Sequence, residues 1–105
     1  MAYFELDPLK KTFERIVNKY LGDKLTGMAR IDFITRLTIL SHNIQSGNVS
    51  LEEAESYIND LLYAIFGDEL DEETRQKVKD EIMVALRVMS FEGKLTIPKR
   101  RMLSY

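Results

Sequence analysis

The sequence predicts an all-α protein, an antiparallel up-down-up-down four-helix bundle with a short extended basic C-terminal tail. Three observations predict this fold: apolar residues recur at helical spacing, polar capping residues precede the periodic segments, and glycines follow them. The predicted helices span about residues 8–21, 27–46, 51–66 and 72–92. Because the links between them are only about four or five residues long, consecutive helices should lie side by side and antiparallel.

The first helix has clear start and stop signals. Asp7 suits the N-cap, and Pro8 suits the first helical position because its missing N–H group is not needed there. Gly22 is the predicted stop. We therefore expect one amphipathic helix that packs its apolar side against the rest of the bundle.

The second helix, between Thr26 and Gly47, is the predicted centre of the fold. On a helical wheel one tight apolar stripe consists of Ala29, Phe33, Leu37, Leu40 and Ile44. Further apolar residues, Met28, Ile31, Ile34 and Ile39, fall outside that stripe. A helix that is apolar around most of its circumference is typically central in a bundle or faces a second molecule.

The third and fourth helices follow the same pattern. Ser50 and Glu53 have the spacing of a capping box, and Asp71 is the predicted cap of the fourth helix. Gly93 is the predicted end of a single domain over residues 1–93. Residues 94–105 then form the basic tail, which we expect to be extended ahead of Pro98.

Composition limits the class of protein. The chain has 105 residues, 45% of them apolar and 30% charged, and it contains no cysteine. Disulfide frameworks, thiolate metal sites and cysteine catalysis are therefore excluded. No apolar run approaches the roughly 18 residues of a membrane span. The first residues do not resemble a signal peptide, so the sequence predicts a cytoplasmic protein.

Charge is distributed unevenly along the chain, although the net charge is only −2. Residues 46–73 contain nine acidic residues and no basic residue, whereas residues 94–105 contain four basic residues and no acidic one. Three interpretations are open. The charges serve helix capping and solvation, they make two copies complementary, or the basic residues contact nucleic acid.

Residues that carry chemistry are scarce, so we expect no enzyme, no small-molecule substrate, and no cofactor or metal. His42 is the only histidine, and a di-iron bundle would need two. The carboxylates between Asp68 and Glu73 lack the spacing and the glycine of a calcium loop, and helix capping explains them better. Glycine-rich phosphate loops and nucleophile elbows are absent from the sequence.

Two functional hypotheses follow. The first is a non-enzymatic adaptor or accessory subunit that binds a protein partner or itself, as a homodimer, through excess apolar residues of the second and fourth helices. Its predicted interface residues are Ile31, Ile34, Ile39, Met83, Val84 and Val88. The alternative is a nucleic-acid-associated accessory protein that uses the tail and the first helix. Its predicted contacts are Lys99, Arg100, Arg101, Lys10 and Lys11.

Overall fold

The computed structural model describes the backbone of residues 7–103 and the side chains of residues 10–88. Within residues 7–103 the chain is all-helical, as predicted, with four α-helices, two short 3₁₀ turns and no strand. The α-helices are α1 (Asp7–Tyr20), α2 (Gly27–Gln45), α3 (Leu51–Phe66) and α4 (Glu72–Leu103). The 3₁₀ turns, Gly22–Lys24 and Gly67–Glu69, lie in the first and third connections.

The helix boundaries arise from local signals that the sequence displays. The Ser50 hydroxyl accepts from the Glu53 N–H at 3.0 Å, and the Glu53 carboxylate accepts from the Ser50 N–H at 2.9 Å. The predicted capping box is therefore confirmed. After α2, Gly47 has a φ of +85°, a left-handed conformation that glycine adopts without a Cβ clash.

The fourth helix differs from the prediction. It continues through Gly93 and Pro98 to Leu103, so the prediction of an extended tail from residue 94 is wrong. A glycine costs a helix only about 1 kcal/mol relative to alanine. A proline inside a helix costs about 3 kcal/mol, because it removes one backbone hydrogen bond and its ring clashes with the carbonyl four residues earlier. The backbone is nevertheless helical on both sides of Gly93 and Pro98, so neither residue ends α4.

The core lies between all four helices. Helices α2 and α4 each contact the other three, whereas α1 and α3 do not contact each other in the described part of the chain. The predicted central role of α2 is thus shared with α4. Large side chains that are fully buried include Phe13, Phe33, Leu37, Ile58, Leu62, Val78, Ile82 and Leu86.

The predicted core stripes are mostly buried, with exceptions at helix ends. Ala29, in the first turn of α2, is exposed, and Ile65, in the last turn of α3, is 37% exposed. Ser41, in contrast, is buried although it lies outside the predicted stripe. Because α2 packs against three helices, its buried arc is wider than one stripe.

Candidate functional site

The most unusual surface in the described part of the chain is the side of α2 that points away from the core. Met28 is 81% exposed there, Ile31 60% and Ile39 54%. Thr35 and His42 are exposed beside them. At about 100° per residue, these five and the exposed Asp32 lie within about 60° of the direction opposite the buried Leu37. We call this set, Met28, Ile31, Asp32, Thr35, Ile39 and His42, the α2 outer face.

One charged residue, Asp32, lies on the α2 outer face, and its carboxylate accepts from Arg36 at 2.8 Å. Solvent-facing sides of surface helices are normally charged or polar, and single exposed apolar residues are common. On the α2 outer face three large apolar residues, Met28, Ile31 and Ile39, are exposed within about three turns, with Asp32 and Thr35 between the two isoleucines. Exposed apolar residues grouped on one helix face favour an interaction site.

A groove of about 420 Å³ lies next to this face, between α2 and α3. It is lined by Arg36, Ile39, Leu40, Asn43, Val49, Glu53 and Tyr57. Arg36 donates to Asp32 at 2.8 Å and to the Tyr57 hydroxyl at 3.3 Å. These two contacts, with Asp32 the stronger, raise the pKa of the Arg36 guanidinium. The groove thus has two charged lining residues, Arg36 and Glu53, and Ile39 belongs both to the groove and to the α2 outer face.

Two predicted interface residues do not lie on any exposed surface. Ile34 is 3% exposed and Met83 is 5% exposed, and both belong to the core cluster. Their prediction as surface residues is wrong, because each lies on the side of its helix that neighbouring helices cover. In contrast, Ile31 and Ile39 are exposed on α2, so they are the predicted residues that the structure brings together on one face.

The other predicted apolar residues line a second groove, of about 460 Å³, between α1 and α4. Val84 is 55% exposed and Val88 50%. Charged and polar groups cross this groove. Lys19 lies 3.3 Å from the Glu81 carboxylate, and the Tyr20 hydroxyl donates to the same carboxylate.

These contacts favour the charged forms of Lys19 and Glu81. The Tyr20 hydrogen bond first, and Lys19 second, lower the pKa of Glu81. Hydrogen bonds from Tyr20 and Glu81 raise the pKa of Lys19. The groove therefore combines two apolar side chains with a fixed ion pair. The assignment of Val84 and Val88 to a partner interface stays a prediction.

The predicted nucleic-acid contacts occupy two places. Lys10 and Lys11 are exposed on α1. Lys99, Arg100 and Arg101 lie on the last turns of α4, and their side chains are outside the described residues. The basic segment is therefore helical in its backbone up to residue 103.

Arg75 is the residue that sequence reasoning missed. It is 5% exposed, and its guanidinium lies 4.0 Å from the centre of the Tyr63 ring. One terminal nitrogen donates to the carbonyls of Gly67 at 3.1 Å and Leu70 at 2.8 Å. The other donates to the Tyr63 hydroxyl and to Glu72. Arg75 thus ties the end of α3 to the start of α4.

The carboxylates of residues 68–73 lie around the connection between α3 and α4. Among residues 10–88, no three histidine, aspartate or glutamate side chains come together in a way that could hold a metal ion. Asp71 instead accepts from the N–H and the hydroxyl of Thr74, at 3.1 and 2.8 Å. These bonds lower the pKa of Asp71. Its predicted role as the cap of α4 is confirmed.

The fold and its surfaces define the class of this protein as far as an all-α helical domain. Across the described residues, none of the helices combines the length and the apolar character needed to cross a membrane. Neither a protein-family model, nor a curated protein, nor a solved structure matches the chain. The function is therefore inferred from the surfaces themselves.

Proposed function

We propose that this chain is a non-enzymatic helical interaction module, an accessory subunit that binds a second copy of itself through the α2 outer face. The observation that carries the proposal is the group formed by Met28, Ile31 and Ile39, each of which is more than half exposed. Covering these side chains removes apolar area from water.

A second copy is the partner that every solution of the protein contains. It supplies the same three exposed apolar side chains, and closed two-fold dimers are the commonest oligomers.

The fold proposed beneath this face is the antiparallel up-down-up-down bundle. Contacts between neighbouring helices support it. Lys79 lies 3.4 Å from Glu55, near the start of α3, whereas Arg75, four residues earlier on α4, reaches Gly67 just after α3 ends. Residue numbers therefore rise along α3 as they fall along α4, as they do in antiparallel helices.

Matched substitutions test the self-association. Ile31→Lys places a charge in the α2 outer face, and Ile65→Lys makes the same change on an exposed part of α3. We expect light scattering after gel filtration to show a dimer for the unmodified chain and for Ile65→Lys, and a monomer for Ile31→Lys. If the unmodified chain stays monomeric up to about 1 mM, its free energy of association is weaker than about −4 kcal/mol. That result would contradict the proposal.

Nucleic-acid binding is a second candidate because of one observation. Helix α4 continues past Gly93, so Lys99, Arg100 and Arg101 lie on a helix rather than on an extended tail. A short basic helix that neutralises a few phosphates binds in a salt-dependent way. Retention on heparin at low salt, lost when the three residues become alanine, would support this candidate, and unretarded elution would eliminate it.

A further inference from the structure

The second groove, between α1 and α4, has an apolar floor. Ile16 is buried there, Ala85 is partly buried, and Val84 and Val88 are 55% and 50% exposed. The lining residues fall within positions 12–19 of α1 and 81–88 of α4, so the groove is about 10 Å long, two turns of helix. Filling it would remove two large apolar side chains from water.

The α1 wall of the second groove is basic. Lys11, Arg15 and Lys19 recur every four residues, so they follow one side of the helix, and all three are exposed. Arg15 and Lys19 line the groove itself. Lys19 is paired with Glu81, whereas Lys11 and Arg15 form no ion pair with a carboxylate of residues 10–88. Two cations on this side of α1 can therefore pair with a bound molecule.

The α4 wall does not cancel this charge. Between positions 80 and 88 its charged residues are Asp80, Glu81 and Arg87. With the three cations of α1, the groove and its edges hold four basic and two acidic residues, a net charge of +2. The whole chain has a net charge of −2. The other charged residues of positions 10–20, Lys10 and Glu14, have opposite signs and lie about 160° around α1 from Thr12, which lines the groove.

We propose that the second groove binds an acidic amphipathic helix of a partner protein. Apolar residues at i, i+3 or i+4, and i+7 of such a helix span about two turns, which is the length of the groove. They cover Val84 and Val88, while carboxylates at the edge of the bound helix pair with Lys11 and Arg15. This site is separate from the α2 outer face, so the proposal does not rest on self-association.

The walls of the groove favour a helix over an extended peptide or a nucleic acid. An extended peptide gains affinity from backbone hydrogen bonds to a sheet edge, and residues 7–103 contain no strand. Both walls are helices, whose backbone groups already bond within each helix. A nucleic acid would pair its phosphates with Lys11 and Arg15, but it would be repelled by Glu81 and would leave the two valines without an apolar complement.

Two synthetic peptides of opposite charge test the proposal. Each has about 16 residues, roughly four turns, with leucines at the same helical spacing and either glutamate or lysine elsewhere. Fluorescence anisotropy of the dye-labelled peptides, titrated with the unmodified chain, gives the dissociation constants. We expect about 10–500 μM for the acidic peptide, because two turns cover far less than a standard interface, and binding at least ten-fold weaker for the lysine peptide. The net charge of the chain alone would give the opposite order.

Matched variants locate the binding site. Arg15→Glu should weaken binding of the acidic peptide about five- to ten-fold, because attraction at the edge of the groove becomes repulsion. Lys10→Glu makes the same change of charge on the other side of α1 and should alter the affinity less than about two-fold. Val84→Glu, which places a carboxylate on the groove floor, should weaken binding at least ten-fold, whereas Ile65→Glu on α3 should not. All four positions are exposed, and far-UV circular dichroism verifies that the variants fold.

Glu81→Gln should act in the opposite direction. Its side-chain carbonyl can still accept from the Tyr20 hydroxyl, but Lys19 loses its ion pair and becomes a further cation for the bound helix. We expect the acidic peptide to bind about two- to five-fold more tightly. A partial loss of structure does not produce such a gain in affinity.

Several results would overturn the proposal. These are no binding of the acidic peptide up to about 1 mM, equal affinity for the two peptides, or equal losses for Arg15→Glu and Lys10→Glu. An oligothymidylate of about 16 nucleotides that binds more tightly than the acidic peptide, and is weakened by Arg15→Glu, would assign the basic side of α1 to nucleic acid instead. A dimer of the unmodified chain that Val84→Glu dissociates would show that a second copy, rather than a partner helix, occupies the groove.

Discussion

Replacing Arg75 by methionine tests how the α3–α4 connection is held. Methionine retains much of the apolar stem of arginine but removes every donor. The carbonyls of Gly67 and Leu70 then lose the hydrogen bonds that they accept at 3.1 and 2.8 Å. Replacing a buried ion pair by apolar side chains sometimes stabilises a protein, because both polar partners are removed together. Here the partners are main-chain carbonyls, which remain in the variant, so no such gain in stability is expected.

The size of the effect follows from these two carbonyls. Leaving a buried acceptor unsatisfied costs about 1–3 kcal/mol, less where water reaches it, so two partly covered carbonyls give a loss of about 2–4 kcal/mol. The ion pair with Glu72 adds little, because that carboxylate is 75% exposed. In a domain of this size 1 kcal/mol shifts Tm by about 4–8 °C, so we expect a decrease of roughly 10–25 °C.

Urea unfolding followed by circular dichroism at 222 nm measures the loss. Arg87→Met, an exposed position on the same helix, is the matched control and should lie within about 0.5 kcal/mol of the unmodified chain. All variants are compared at one protein concentration, since self-association adds to apparent stability. A value for Arg75→Met equal to that for Arg87→Met would refute the role assigned to Arg75.

Three further predictions concern helix ends and charge. Ser50→Ala should destabilise the chain by about 1 kcal/mol in urea unfolding, because it removes the capping bond to Glu53, whereas Ser56→Ala on the exposed side of α3 should not. Gly47→Ala should cost about 1–2 kcal/mol of backbone strain. A steric clash is not involved, because nothing lies within 4 Å of the added Cβ. Gly47→Asn should cost less, and equal losses of stability for the two variants would contradict the backbone explanation. The pKa of Glu81 is lowered in the folded chain, so its carboxylate stabilises the fold above about pH 4, the ordinary glutamate range, and this contribution disappears as the pH falls through the folded pKa. Glu81→Gln should therefore flatten the acid limb of a curve of Tm against pH. An unchanged slope would argue against the Tyr20 and Lys19 contacts.

Much of the fold could be predicted from local sequence because local interactions determine it. The capping box of Ser50 and Glu53, the Asp71 cap and the turn at Gly47 involve residues at most six positions apart, and each is found where the sequence placed it. The end of α4 could not be predicted this way. Gly93 and Pro98 disfavour a helix by about 1 and 3 kcal/mol, so the local sequence predicts a stop at a point where the backbone continues as helix.

The candidate site was predictable only in part, because burial depends on the number of neighbouring helices. A helical wheel identifies Ile31, Ile34 and Ile39 as residues outside the central stripe, but it does not show that α2 packs against three helices. That packing buries Ile34 and leaves the other two exposed. Arg75 was missed because its partners lie in a turn that only the folded chain brings close. Its one sequence signal is that it is the first basic residue after the acidic segment.

Sedimentation equilibrium of the unmodified chain tests the central claim, that the α2 outer face joins two copies. From about 1 μM to 1 mM, the range that brackets a weak two-helix contact, we predict that the mass rises from the 12.2 kDa of one chain to twice that value. Ile31→Lys, measured alongside, should stay at 12.2 kDa. A constant monomer mass for the unmodified chain, or an identical rise for Ile31→Lys, would contradict the claim.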